Sequence, residues 1–415
     1  MKNLLTFFAA GALVIIIMTL LLIPGGCALF ETGEGQAAPV EELDERLVQA
    51  NNRLGFILID ELSNGNSGNI LISPASILTA LAMTYNGAEG ETRAAMGKTL
   101  GLQDMSLEEV NKSFADLLTL LNNPDPQVEL ALANSLWARD GVGFNSDFLE
   151  RNSEYYKAEV AEIDFDREDA ADIINSWVKD NTGGKIEDLV EAPIDSDTIL
   201  FLINAIYFKG DWTNKFDPGQ TREVPFTLPD GSQRNHPLMF KYSSFDYFQN
   251  DLFQAVKLPY GENERIGMYL FLPREGTSKE ELYRNLKAEP WKKQVDKFYS
   301  MEGEVGLPRF QFEYEVSLNN ILEALGMGIA FDQDRADFSG MRPTPPELFI
   351  SEVKHKSFIE VNEEGTEAAA ATSVEIAVTS MPETFSMIID RPFVFAIADN
   401  MTGTILFIGE VSNPR

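Results

Sequence analysis

Residues 365 to 380 read Gly-Thr-Glu-Ala-Ala-Ala-Ala-Thr-Ser-Val-Glu-Ile-Ala-Val-Thr-Ser, and two local structures are compatible with this segment. Its run of Glu and Ala has high helix propensity, which favours a mobile Ala-rich loop or a short helix. Its alternation favours a strand, because residues two apart share a face of a strand. One face is small or β-branched and uncharged: Thr366, Ala368, Ala370, Thr372, Val374, Ile376 and Val378. A long exposed segment that is also a well-formed strand invites edge pairing, so the pattern predicts a loop that can become a strand elsewhere.

The chain around this loop changes from helical to strand-rich. Leucines and isoleucines recur at three- and four-residue spacings from residue 41, and Ser73 and Pro74 are well placed to start a second helix. Leu107 to Leu121 and Asp169 to Lys179 also have helical patterns. Strand patterns cover residues 128–138, 198–209, 252–259, 266–272, 303–314, 349–361, 384–397 and 403–410. Helices that come first and strands that mostly follow predict an α+β domain, and no linker divides residues 41–415.

Four motifs in this order resemble the serpin family, and the resemblance spans essentially all of residues 41–415. Glu363 to Thr372 (EEGTEAAAAT) resembles the reactive-loop hinge of inhibitory serpins, and Met387 to Ile397 (MIIDRPFVFAI) matches the family's C-terminal signature. Asn69 to Ile77 (NILISPASI) resembles the start of its second helix, and Phe201 to Trp212 (FLINAIYFKGDW) the third strand of its sheet A. The resemblance implies a serpin fold with about eight or nine helices around three β-sheets and an exposed reactive-centre loop near residues 363–391.

The resemblance also implies a function, a protease inhibitor and not an enzyme. A target protease would cleave the loop as a substrate and form an acyl-enzyme, after which the severed loop would insert into sheet A and trap the protease. The hinge residues would be Glu363, Gly365, Thr366, Ala368, Ala370 and Thr372. Small residues on the inserting face avoid burying a charge, and this hinge has the inhibitory pattern throughout. A serpin fold used only for binding or as a structural surface protein is the alternative.

Five further residues match positions of the family that control insertion. Ser73, Ser76, Asn204 and His355 correspond to the polar shutter beneath the strands that part, although buried polar residues with satisfied hydrogen bonds would explain them too. Trp212 corresponds to the tryptophan of the breach, where the loop first enters, and an ordinary core aromatic is the competing explanation. Asn204 lies in the middle of an apolar strand, so we expect a hydrogen-bond partner for its amide.

The scissile bond is predicted by counting. Seventeen positions from Glu363, the usual family spacing, place it at Thr379–Ser380, with Ser380–Met381 as the alternative. Counting back from Pro392 gives Met381–Pro382, but a bond to proline is a poor protease substrate. The absence of Lys and Arg near the cut favours elastase- or subtilisin-like serine proteases over trypsin-like ones, and papain-like cysteine proteases stay open.

The composition excludes several other functions. The net charge is −32, from 33 basic and 65 acidic residues, and such a surface repels nucleic acid and anionic lipid. Cys27 is the one cysteine, and His236 and His355 are the two histidines, so the folded part has no disulfide framework or Cys–His nucleophile pair. Motifs of hydrolases, zinc proteases and phosphate-binding loops are missing. We therefore expect no cofactor and no metal, although a site made only of carboxylates stays open, and we expect a monomer.

The N-terminus predicts export. Residues 4–23 are apolar, follow Lys2 and precede Pro-Gly-Gly-Cys27, which is typical of an export signal. Residues 1–27 resemble a bacterial lipoprotein signal with Cys27 as the lipidated residue, although Pro24 stands where leucine is usual. An uncleaved membrane helix and simple secretion are the alternatives. All three predict an extracytoplasmic domain, joined to its N-terminus by a flexible tether at residues 28–40.

Overall fold

A computed structural model of the chain describes residues 43–122, 124–196, 198–343, 348–366 and 383–414, with only the backbone at Ala131, Ala205 and Thr366. Four of its described α-helices begin at a residue whose side chain caps the helix. Ser73 precedes the second helix and accepts a hydrogen bond from the Ser76 amide at 3.1 Å. The α-helices within the described residues are α1 (Glu45–Ser63), α2 (Pro74–Tyr85), α3 (Gly90–Leu100), α4 (Leu107–Leu121), α5 (Ser146–Tyr156), α6 (Ala170–Asn181), α7 (Lys279–Lys287), α8 (Trp291–Val295) and α9 (Asn319–Leu322).

Fifteen strands lie mostly in the second half of the described chain, so the α+β prediction is correct. They are β1 (Ile70–Ile72), β2 (Val128–Arg139), β3 (Glu159–Ile163), β4 (Leu200–Asp211), β5 (Arg222–Thr227), β6 (Gln233–Gln249), β7 (Phe253–Tyr260), β8 (Ile266–Pro273), β9 (Tyr299–Pro308), β10 (Phe310–Ser317), β11 (Lys354–Val361), β12 (Gly365–Thr366), β13 (Phe385–Ile388), β14 (Phe393–Asp399) and β15 (Thr404–Val411).

The strands form three hydrogen-bonded sheets. The largest has the order β1-β15-β14-β8-β7-β6-β9-β13, with β5 paired to β6, and it carries most of the main core. The second has the order β12-β4-β2-β3, and the third is the antiparallel pair β10-β11. β11 lies next to both β12 and β4. In the part of the chain that is described, no backbone ladder joins β4 to β11.

The antiparallel pair of β2 and β4 is covered on both faces, as the nearly continuous apolar sequence of residues 198–209 predicts for β4. Even-numbered residues such as Leu136, Ile206 and Phe208 pack into the main core with α1 and α2. Odd-numbered residues such as Trp137 and Ile203 pack into a second core with α6. Since Asn134 and Asn204 are opposite each other in this ladder and even-numbered, they share the main-core face.

Three predicted strands differ from the structure. The pattern over 303–314 is two strands, β9 and β10, which separate at Arg309, where the backbone amide bonds instead to the Pro237 carbonyl at 3.1 Å. The pattern over 384–397 is also two strands, β13 and β14, and the break includes Pro392, which has no N–H to donate to a ladder. The pattern over 349–361 becomes a strand only at Lys354.

Candidate functional site

A tight turn at the end of β11 reverses the chain and starts β12. Asn362 and Gly365 exchange two backbone hydrogen bonds, at 3.0 and 3.3 Å, which close the turn. The turn places Gly365 opposite Asp211 and Thr366 opposite Gly210, antiparallel to the end of β4. The predicted hinge therefore begins as a strand on β4.

Gly365 occupies a conformation that other residues do not tolerate. Its φ is +138°, a region that L side chains rarely adopt. A Cβ added there would lie 2.1 Å from the carbonyl oxygen of Gly210 and 2.7 Å from the Trp212 nitrogen. Glycine at this position thus permits both the turn and the close approach of the hinge to β4.

Trp212 holds the turn from the side of β4. Its indole Nε1 donates to the Asn362 carbonyl at 2.9 Å, and its backbone amide donates to the Glu364 carbonyl at 2.8 Å. The ring is 2% exposed and stacks on Tyr260, with 4.3 Å between ring centroids. Trp212 is therefore a core aromatic that also contacts the turn from which the predicted hinge begins.

The side chain of Glu363 is anchored by two residues that flank strands, Thr221 before β5 and Arg309 between β9 and β10. Its carboxylate is buried, at 5% exposure for the residue, and accepts hydrogen bonds from Thr221 and from Arg309, whose Nε lies at 2.8 Å. Burial opposes ionisation, but the hydrogen bonds from Arg309 and Thr221 outweigh it and hold the pKa of Glu363 below its ordinary value. The sequence carries no signal for Arg309 or Thr221, because they are distant in the chain and belong to no motif.

Three of the four predicted shutter residues lie together. The Ser73 amide donates to Nε2 of His355 at 3.2 Å, and the Ser73 hydroxyl accepts from the Ser76 amide. His355 is buried, and burial lowers its pKa to about 4, so the ring is neutral at pH 7 and its Nε2 can accept. Ser357, two residues along β11, donates to the Leu71 carbonyl at 2.7 Å. The cluster joins β11 to the segment that begins α2.

Asn204 has a different partner. Its Nδ2 donates to the Oδ1 of Asn134, directly opposite on β2, so the predicted amide partner exists. Among the described residues, no hydrogen bond joins Asn204 to His355, and its own Oδ1 accepts none. Sequence reasoning missed Asn134, although an asparagine in the strand pattern 128–138 was a signal for it.

Several predicted residues lie outside the described part of the chain. They are the hinge residues Ala368, Ala370 and Thr372, the scissile-bond residues Thr379, Ser380 and Met381, and the lipidation residue Cys27. Where the structure describes the chain, none of its helices is long and apolar enough to cross a bilayer.

Comparison with known proteins agrees with this geometry. The family model described as Serpin (serine protease inhibitor) matches residues 49–414. An uncharacterized serpin-like protein of Thermococcus kodakarensis is 39% identical over 92% of this chain and 87% of its own length. The human leukocyte elastase inhibitor is 38% identical over 89% of this chain and 100% of its own length. The native state of tengpin, a thermophilic serpin, superposes with a TM-score of 0.82 at 34% identity, over 91% of this chain and 97% of tengpin.

The predicted fold is thereby confirmed. A family match over residues 49–414 and relatives of this identity and coverage leave one conclusion. The chain belongs to the serpin family of serine protease inhibitors.

Proposed function

We propose that this chain is an irreversible suicide-substrate inhibitor of serine proteases. The observation that carries the proposal is the hinge: Gly365 and Thr366 form a strand antiparallel to β4, directly after the turn that ends β11. The protease serine would attack the loop, form an acyl ester with its N-terminal part and release the C-terminal part from the bond. Insertion of the acylated strand beside β4 would then carry the protease away from its starting position before water hydrolyses the ester.

The register of the hinge explains its small residues. Continued one residue for one, the ladder would place Ala368 opposite Phe208, Ala370 opposite Ile206 and Thr372 opposite Asn204. Phe208 and Ile206 are buried in the main core. A small uncharged residue at each of these loop positions can enter without burying a charge or displacing a core side chain.

The preferred target is an elastase- or subtilisin-like protease, with papain-like cysteine proteases as further targets. The proposed bond, Thr379–Ser380, follows a small β-branched residue that suits a shallow apolar pocket, and the alternative bond, Ser380–Met381, follows a small serine. The similarity to leukocyte elastase inhibitor, 38% identical, supports the same class. The inhibitor would act as a monomer and need no cofactor.

The test mixes the purified protein with pancreatic elastase, subtilisin or papain and resolves the products on denaturing gels. We expect a band at the summed mass that survives boiling in detergent, and mass spectrometry of the released peptide should locate the cut at 379–381. The matched control is a protease whose catalytic serine is replaced by alanine, which binds but cannot acylate. Complete cleavage with no covalent band for any active protease would instead support a serpin fold that binds without trapping.

We further propose that the domain is extracytoplasmic and tethered to a membrane through a lipid on Cys27. The basic start, the apolar run 4–23 and the small residues before Cys27 support an export signal of the lipoprotein kind. Expression in a bacterial host should place the protein in the detergent phase of a membrane extract, and Cys27→Ser should release it. If the Cys27→Ser protein stays in the detergent phase, the result would favour an uncleaved membrane helix. If the wild type is missing from the detergent phase, the result would favour secretion.

A further inference from the structure

A chain of buried hydrogen bonds runs from the middle of β4 to the end of α2. On the sheet side, Asn204 Nδ2 donates to Asn134 Oδ1, and Asn134 Nδ2 donates to the backbone carbonyl of Tyr156 at 2.7 Å. Tyr156 is the last residue of α5 and is fully buried. The end of α5 therefore holds β2 at the residue that faces the middle of β4.

The same tyrosine continues the chain toward α4 and α2. Its hydroxyl donates to Asn111 Oδ1 at 2.9 Å, and Asn111 Nδ2 donates to Asn86 Oδ1 at 2.9 Å. Asn111 lies on α4, and Asn86 follows the last residue of α2. Burial raises the pKa of the Tyr156 hydroxyl, so it stays protonated and remains a donor. The Tyr156 ring packs against Phe114 of α4, with centroids 5.2 Å apart.

The hydrogen bonds of this network all run in one donor direction, from Asn204 toward Asn86. Asn86, Asn111 and Asn134 are each at most 3% exposed, so each amide depends on its neighbours for hydrogen bonds. An apolar cluster of the same shape would avoid the cost of desolvating four amides. The hydrogen bonds that this network makes fix position, because each joins two particular groups. Asn86 Nδ2 and Asn204 Oδ1 have no partner among the described residues.

We propose that Tyr156 and Asn111 are positioning residues that hold β2 and β4 to α4 and α5 and so set how readily β4 separates from its surroundings for loop insertion. The inference rests on the proposed inhibitory function, because only insertion requires β4 to move. Tyr156 carries the coupling, since its carbonyl contacts the sheet and its hydroxyl contacts α4.

Tyr156→Phe tests the coupling because it removes the hydroxyl and keeps the ring. Tyr283→Phe is the matched control: Tyr283 is also buried and donates one hydrogen bond, at 2.9 Å, to Glu410 on β15. In hydrogen–deuterium exchange of the intact chain, peptides within 200–211 should exchange about tenfold faster in Tyr156→Phe and be unchanged in Tyr283→Phe. The half-life of inhibitory activity on mild heating should also shorten several-fold in Tyr156→Phe alone.

Exchange of β4 that is unchanged in Tyr156→Phe, or raised equally by Tyr283→Phe, would overturn the inference. If Tyr156→Phe does not fold, Asn111→Ser breaks the same link from the α4 side and should give the same change in β4. Exchange does not depend on inhibition, so the two proposals fail separately. If proteases cleave the protein without being trapped, hydrogen exchange can still show the coupling. If the protein traps proteases but exchange of β4 is unaltered in Tyr156→Phe, only the coupling is excluded.

Discussion

Glu363 and Arg309 form the most specific side-chain contact of the hinge. The carboxylate is buried while the Arg309 side chain is 44% exposed, so the glutamate depends on this partner and the arginine does not. Removing the charge would leave a buried amide facing Arg309 and Thr221 and would loosen the turn that starts β12. The residue therefore contributes to where the hinge begins, beyond its match to the family pattern.

Glu363→Gln should lower the melting temperature at pH 7 by roughly 2 to 6 °C, because hydrogen bonds to a charged group contribute about 1.5–3 kcal/mol. The folded pKa of Glu363 lies below the unfolded value of about 4.3. Its contribution is thus fully present above that unfolded value and is lost as the pH falls through the lower folded pKa. Calorimetric scans from pH 7 to pH 3 should show the gap between wild type and variant closing at acidic pH.

The control for this prediction is Glu187→Gln. Glu187 pairs with Lys179 at 2.7 Å, but both side chains are more than half exposed. Exposed pairs contribute about 0–1 kcal/mol, so this variant should melt within about 1 °C of wild type. A loss as large as that of Glu363→Gln would show that the effect comes from net charge and not from the hinge.

At the scale of elements, the proposed insertion of the loop beside β4 would start from the two-residue strand β12. Thr366 is paired with Gly210, and a Cβ on Gly210 would already lie 3.0 Å from the rings of Phe208 and Tyr260. The register gives position 366 the same face as Gly210. At Gly210 the rings of Phe208 and Tyr260 close that face, so a large charged side chain beside them would lose contact with water.

Thr366→Arg should therefore convert the inhibitor into a substrate while the fold stays intact. A charged side chain on the inserting face slows insertion, and the protease escapes by hydrolysing its acyl ester. Gels should show cleaved protein in place of the covalent complex, and the circular dichroism spectrum should be unchanged. Asn235→Arg, which adds the same charge at an exposed position on β6, is the control and should inhibit like wild type. Undiminished inhibition by Thr366→Arg would count against loop insertion.

Elements with strong periodicity were predictable from the sequence, and those defined by distant contacts were not. The predicted helix Leu107 to Leu121 has the same bounds as α4, because its apolar stripe lies within the segment and its Ser106 cap directly precedes it. The separation of β9 from β10 at Arg309 depends on Pro237, 72 residues earlier in the chain, and no local pattern indicates it. The 17-residue strand β6 went unpredicted.

The same limit applies to the site. Motifs identified Ser73, Asn204, Trp212, His355 and the hinge, because the family pattern is local in sequence. They could not supply Arg309, Thr221 or Asn134, which act through contacts across strands. The division of the predicted cluster into Ser73–His355 and Asn204–Asn134 likewise follows from which strand each residue occupies.

For the whole molecule, the fold has a strand position beside β4 of which β12 fills only two residues. β4 and β11 belong to separate ladders in the described residues, and the residues that follow β11 begin a strand antiparallel to β4. Each further loop residue added to the ladder would contribute about 0.5–1.5 kcal/mol. Burying Val374, Ile376 and Val378 would add about 1.5–3 kcal/mol each. An uncut loop cannot gain this free energy fully, because both of its ends are attached.

Cleavage of the loop should therefore raise thermal stability sharply. Limited proteolysis within residues 367–382, followed by calorimetry, should show a melting temperature higher by roughly 10 °C or more, while gel filtration shows that the two fragments stay together. The control is protein incubated with the same protease after its inactivation, which should melt like untreated protein. The comparison isolates insertion, since cutting an exposed loop without insertion removes a covalent constraint and lowers or preserves stability. An unchanged melting temperature after complete cleavage would mean that the native fold stores no free energy for trapping, and the molecule would then bind proteases without capturing them.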